Sequence, residues 1–377
     1  MRIAAIHAHV LRHDLDAHFQ SAFSTFTTRW ACLVEVVCDD GTVGWGECLG
    51  PAAPNAALVR AMAPLALGRD PRDIEPIWTE IYSQFRDQGQ RGATMTAQSG
   101  IDIALWDAAG KHFGVPVHRL LGGAWREDVP CYATGGFRPV GRDRDEALAE
   151  ELKGYREAGF TAVKIKIGYG VAADIASIRL AREVLGPGIA LMIDANHGYD
   201  AIEAIRLGRA VEPFDIDWFE EPVVPELLDA YTEIRARQPI PVAGGETWHG
   251  RAGFAEAIAK RAVDILQPDV CGCGGITEMR KIVSMAETAG IRVTPHVWGT
   301  GVALAASLQM LATLPPTPPR HTERAPLLEF DQTWNPFRQE ILATPIAQTA
   351  GRVAIPQGPG LGIEIDRAAL ARYTVEA

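Results

Sequence analysis

A set of ionisable residues recurs through the second half of the chain at intervals that suit one site: Lys164, Lys166, Asp194, Glu220, Glu246, Asp269, His296 and Glu329. The two lysines sit in Thr161-Ala-Val-Lys-Ile-Lys-Ile-Gly168, an otherwise apolar stretch that predicts a buried strand. Alternate residues of a strand share a face, so both ammonium groups point the same way. Burying them together requires negative charge nearby. Asp194, Glu220 and Glu246 supply it, and with no Cys or paired His among them they form a hard oxygen donor set that suits Mg²⁺ better than Zn²⁺. A divalent ion and two lysines outweigh three carboxylates, so the expected pocket is locally positive and fits a small-molecule carboxylate.

A carboxylate held by such an ion has acidified α-hydrogens. A lysine beside another cation has a lowered pKa and can act as a base. Lys166 is therefore the expected base, with Lys164 depressing its pKa and touching the substrate carboxylate. Asp269 is expected to hold His296 in one tautomer as a second acid/base. Glu329, if protonated, could donate a hydrogen bond to the developing enediolate. Asn196, His197, Trp298 and Arg91 are candidate substrate contacts. Glu221 alternates away from Glu220 and reads as a structural partner. Cys271-Gly-Cys273 reads as small residues in a crowded loop.

The elements that must position these groups follow an α/β rhythm. Strands are predicted at 129–135, 161–168, 190–196, 216–222, 241–246, 263–269, 292–298 and 326–331, with helices at 145–158, 174–185, 202–211, 227–238, 254–260 and 277–289. Such alternation points to a (β/α) barrel, in which functional groups gather at the carboxyl ends of the strands. From the second strand onward each predicted strand ends in one of the chemical residues. The last unit looks short, and its helix is expected to be absent or irregular. Ahead of the barrel, residues 1–125 read as an α+β domain. It has strands at 2–11, 31–38 and 42–48, helices at 56–67, 74–85 and 96–113, and a long loop at 14–28 that resembles a lid. Residues 350–377 are expected to return to this first domain, leaving 126–349 for the barrel.

Composition excludes several classes. Of 377 residues, 47% are apolar and 22% charged, as in ordinary globular enzymes. A net charge of −11 argues against nucleic acid or an anionic membrane as partner. No stretch approaches the roughly 20 apolar residues of a membrane span. The six cysteines lack a CxxC pair or disulfide framework, which together with the absence of a signal-peptide pattern predicts a cytoplasmic protein. A homo-oligomer is expected.

The ordered motifs resemble the mandelate racemase subgroup of the enolase superfamily along nearly the whole chain. They are Ser99-Gly-Ile-Asp-Ile-Ala-Leu-Trp-Asp107 before Leu120-Leu-Gly-Gly123, Lys164-Ile-Lys166, Asp194-Ala-Asn196, Glu220-Glu-Pro222, Gly245-Glu246, Asp269, His296 and Glu329. The resemblance implies a capping domain over a modified (β/α)₇β barrel, a Mg²⁺ site, and proton abstraction next to a carboxylate. Residues 87–92, 217–225, 241–250 and 295–301 are similar to members that open the lactone of an acid sugar by β-elimination, giving a 3-deoxy-2-keto hexarate. Acid-sugar dehydration and racemisation or epimerisation share the enediolate and stay open. A barrel that binds an acidic metabolite without catalysis is the alternative of another class.

Overall fold

The computed structural model describes residues 1–317 and 325–376. In the strand Ala162–Lys166 every residue is buried, lysines included. Its neighbours explain how. Strands Asp128–Gly135, Ala162–Lys166, Ala190–Asp194, Ile216–Glu220, Val242–Gly244, Ile265–Leu266 and Arg292–Val293 lie side by side in chain order. Leu328–Asp331 pairs in parallel with the first of them, Leu328 opposite Cys131. These are the eight strands of the barrel. Among the described residues no ladder joins the seventh to the eighth, but across that seam Val297 N donates to Glu329 Oε2 at 3.0 Å. Inside, Tyr132, Ala162, Met192, Trp218, Ala243 and Ile265 pack as an apolar layer. Two residues further along the same faces come Thr134, Lys164, Asp194 and Glu220, so the period of two places polar groups at the mouth and hydrocarbon beneath.

The six predicted barrel helices form within a few residues of expectation, as Arg144–Glu157, Val171–Leu185, Ala201–Ala210, Leu228–Arg237, Gly250–Ala259 and Gly275–Ala289. A further helix, Gly301–Thr313, was not predicted. It is buried from Gly301 to Ala312 and so carries no polar stripe to reveal a helical period. Thr300 caps it by accepting from Val302 N. The eighth unit is short, as expected, with only the single turn Pro336–Gln339. No helix among the described residues is long and apolar enough to cross a membrane.

The first domain departs from expectation at the supposed loop. Residues 14–28 are mostly strand: Ile3–Gln20 and Thr25–Cys38 form one long antiparallel hairpin, with Asp14 opposite Thr28 and Phe19 opposite Phe26. The register shifts between Asp14 and Phe19, which breaks the period that sequence reading relies on. Phe19 and Phe26 stack at 5.0 Å and fix the outer pairing. Val43–Cys48 completes the meander. Thr374–Val375 returns to this sheet opposite Val10 and Leu11. Arg352–Ala354, expected to do the same, instead pairs antiparallel with Asp128–Pro130 of the first barrel strand.

The helix Ala93–Phe113 joins the two parts and is buried along most of its length. A Cβ at Gly46 would strike the Gly100 backbone, so the meander lies directly on the helix. Asp107 accepts from Trp45 N and Leu361 N, at 2.8 and 2.7 Å. Asp102 faces the barrel and accepts from Thr277 N at 2.9 Å. Burial raises the Asp102 pKa to about 7 despite the bonds to Thr277. Its folded value thus lies above the unfolded one, so its contribution to stability is full below about pH 4 and is lost as pH rises through 7. Asp102→Asn is expected to flatten this slope and gain about 2 kcal/mol over wild type at pH 8 relative to pH 5, measured by urea unfolding at both values.

Candidate active site

At the mouth, Lys164 has no exposed surface. Its Nζ donates to Glu220 Oε1, lies 2.8 Å from Glu329 Oε1 and 3.7 Å from Asp194 Oδ2, and sits 5.5 Å from the centre of the Tyr132 ring. Lys166, 8% exposed, donates to Asp194 Oδ2 at 2.5 Å. Burial opposes both charges, but the carboxylates outweigh it, raising Lys166 and taking Lys164 well above the ordinary lysine value. Lys164 does push Lys166 down, as expected, yet Asp194 pulls harder the other way. The Lys164 ammonium itself is enclosed by Glu220, Glu329 and Asp194.

Asp194, Glu220 and Glu246 each offer a carboxylate oxygen, all within 4.8 Å of one another. Their supports are specific. Asn196, read as a substrate contact, turns back to give its N and Nδ2 to Asp194 at 2.9 and 3.3 Å. Trp218 Nε1 and Gln267 Nε2 donate to Glu220 Oε2 at 2.9 and 2.6 Å. Backbone strain collects here: Asn196, His197 and Glu221 hold φ of 40°, 66° and 41° directly after the third and fourth strands. Burial, then the neighbouring carboxylates, raise Glu220 to about 7 and Glu246 to about 8 against the pull of the nearby cations. Asp194 also suffers burial, but Lys166 and Lys164 hold it well below the usual range. Negative charge is therefore in excess, and an all-oxygen donor set of this size fits a divalent cation.

His296 Nδ1 lies 2.7 Å from Asp269 Oδ2, which fixes Nδ1 as the N–H donor. Its Nε2 is 3.4 Å from Glu246 Oε2. Burial opposes its charge, but Glu246, Glu329 and Asp269 raise its pKa to about 10. Glu329 is the residue considered from sequence as a protonated donor. Despite burial, Lys164 and His296 lower it to about 2, and it accepts from Thr134 Oγ1 at 2.7 Å and from Val297 N.

His197 Nε2 is 2.7 Å from Glu221 Oε2, and its ring stacks at 5.9 Å on Phe23, at the tip of the hairpin. Trp298 lines a cavity of about 480 Å³ with Phe26, Arg29, Leu49, Asp269 and Phe337. Arg91 lies elsewhere, in a cleft with Tyr82, Arg86, His249 and Arg251. Sequence reading missed Arg29, Trp218 and Gln267. Arg29 was hidden because its strand was read as a loop up to Thr28. The other two sat in predicted strands and were legible from their alternation with Glu220 and Asp269.

Residues 5–122 match the N-terminal domain of mandelate racemase / muconate lactonizing enzyme, and 147–369 the enolase C-terminal domain-like family. The chain is 57% identical over 373 residues to D-galactarolactone cycloisomerase of Agrobacterium fabrum, covering 99% of each. It is 36% identical to arabinonate dehydratase of Saccharolobus solfataricus, over 90% of this chain and 89% of that one. The crystal structure of 3,6-anhydro-D-galactonate cycloisomerase from Zobellia galactanivorans superposes with a TM-score of 0.91 at 38% identity, covering 100% of both chains. Matched in both halves and from end to end, the chain belongs to the mandelate racemase/muconate lactonizing enzyme family of enolase-like enzymes.

Proposed function

We propose that this enzyme opens the lactone of an acid sugar by Mg²⁺-dependent β-elimination, as a galactarolactone-type cycloisomerase. One observation carries the reading: Lys166 and His296 stand at the two ends of a carboxylate cluster, in a chain 57% identical to such a cycloisomerase. Asp194, Glu220 and Glu246 would hold the ion, which would draw carboxylate charge from Lys166 and His296 and acidify the C–H beside a bound substrate carboxylate.

Lys166 removes the proton from the α carbon. The freed electron pair first enters the substrate carboxylate as an enediolate, and then forms the Cα–Cβ double bond as the bond from Cβ to the ring oxygen breaks. That oxygen leaves as part of a new carboxylate. His296, held by Asp269, returns a proton to the β carbon while the enol hydroxyl loses its own, giving the ketone. No water is taken up or lost. One proton is released overall, because a neutral ester has become a carboxylate.

This balance separates the reaction from its rivals. Dehydration of an acid sugar yields a keto acid without releasing a proton, racemisation yields neither, and simple lactone hydrolysis yields a proton without a keto acid. With D-galactarolactone in weak buffer and an indicator dye, one proton per keto acid formed is expected. Keto acid without acid release would move the assignment to dehydration.

Three further experiments test the machinery. Lys166→Ala should cut turnover and α-proton exchange in D₂O by roughly 10³-fold, while Mg²⁺ still raises the melting temperature. Chelation should abolish turnover reversibly, and Glu220→Gln should lose the Mg²⁺-induced thermal shift. Full activity after chelation would remove the metal from the mechanism. Exchange surviving in Lys166→Ala would move the base to His296.

A further inference from the structure

The cavity beside the proton-carrying residues contains a cation that the reaction above has not used. Arg29, 5% exposed, lines it together with Phe26, Leu49, Trp298 and Phe337. Its Nε donates to Trp334 O at 3.0 Å and its Nη2 to Thr333 Oγ1. Its Nη1 donates to none of the described residues. The guanidinium stacks 4.8 Å from the Trp298 ring centre and 5.2 Å from that of Phe19. The carboxylate near it is Asp331, at 3.8 Å, and Asp331 is held more closely by Arg338, at 2.8 Å. Two buried guanidinium groups therefore share one carboxylate, and a positive excess remains at this wall of the cavity.

The two carboxylates lining the same cavity do not relieve that excess. Glu47 is taken by Thr300 and Ala303, and Asp269 by His296 and Cys271 N. Ring contacts link the cavity lining to the reacting end. Lys166 Nζ lies 5.1 Å from the Phe137 ring centre, Phe137 packs on Phe26 at 6.0 Å, and Phe26 on Trp298 at 5.1 Å. An aromatic wall thus runs from the base to Arg29.

Resting on the lactone-opening reading, we infer that Arg29 is the group that receives the carboxylate released when the ring opens. The bound lactone has no charge at that position. Charge appears there only as the bond from Cβ to oxygen breaks and the electron pair passes to the ring oxygen. A fixed cation at that point favours the transition state over the ground state. A guanidinium, which cannot give up its proton, suits a departing carboxylate and could not supply the proton that a departing hydroxide needs. Arg29 is therefore also a specificity residue, favouring ring opening over loss of water.

The test separates the two halves of the reaction. Wild type, Arg29→Met and Arg29→Lys are incubated with D-galactarolactone and Mg²⁺ in D₂O, and NMR follows both α-deuteration of recovered lactone and formation of the keto acid. Arg29→Met should lose ring opening by roughly 10²–10³-fold while α-exchange stays within about threefold of wild type. Arg29→Lys should recover part of the loss. Asp331 keeps Arg338 in either variant, so the local fold retains its ion pair. Exchange and opening falling in parallel would make Arg29 merely structural, and opening at the wild-type rate in Arg29→Met would exclude it; either result overturns the inference alone. A wild-type enzyme that exchanges the α-proton but never opens the lactone would instead overturn the reading beneath it.

Discussion

The balance of buried charge at the barrel mouth is the constraint on which the rest depends. Two ammonium groups on alternate positions of one strand would be intolerable in a low-dielectric interior without partners. Glu220, Glu329 and Asp194 surround Lys164, and Asp194 takes Lys166. The carboxylates Asp194, Glu220, Glu246 and Glu329 outnumber the two ammonium groups, and burial raises the pKa of Glu220 to about 7 and of Glu246 to about 8. The lysines thus do two things. They allow carboxylates to gather out of water, and they leave a surplus that a hard cation can neutralise.

That arrangement is sustained by a repeated two-residue step. Ala162, Met192 and Trp218 fill the barrel beneath Lys164, Asp194 and Glu220. A strand that slipped by one residue would exchange the polar mouth for the helix-facing side and bury charge against hydrocarbon. Register in the barrel and the composition of the site are therefore one requirement.

Much of this was legible in the sequence because periodic signals carry it. The alternation around Lys164 and Lys166, the carboxyl-ended strands that follow, and the amphipathic barrel helices each survive as local patterns. What was lost lacked a local period. The helix Gly301–Thr313 is buried all round. The hairpin from Ile3 to Cys38 has a register break in its outer half, where polar and aromatic residues pair across strands rather than along one. Charge states were also illegible. From spacing, Glu329 was open to protonation, but only the fold shows Lys164 and His296 beside it. Arg91 is a residue type suited to carboxylates whose direction no local pattern fixes; it lines a cleft with Tyr82 and His249.

The two parts of the chain are also joined at the site itself. Glu47, on the third strand of the first domain, accepts from Thr300 N at 2.9 Å, Thr300 Oγ1 at 2.6 Å and Ala303 N at 2.8 Å. These donors lie at the start of Gly301–Thr313, where backbone N–H groups lack intrahelical partners and favour negative charge. The same segment carries His296 and Trp298 a few residues earlier. A displacement of the first domain would therefore drag on the loop that positions the imidazole, and at the same time move Arg29 and Phe26 on the adjoining strand. The barrel supplies the charge balance, whereas the hairpin and Glu47 set the shape of the cavity against it. Seating a substrate ring and aligning the proton carriers consequently depend on one packing arrangement rather than two.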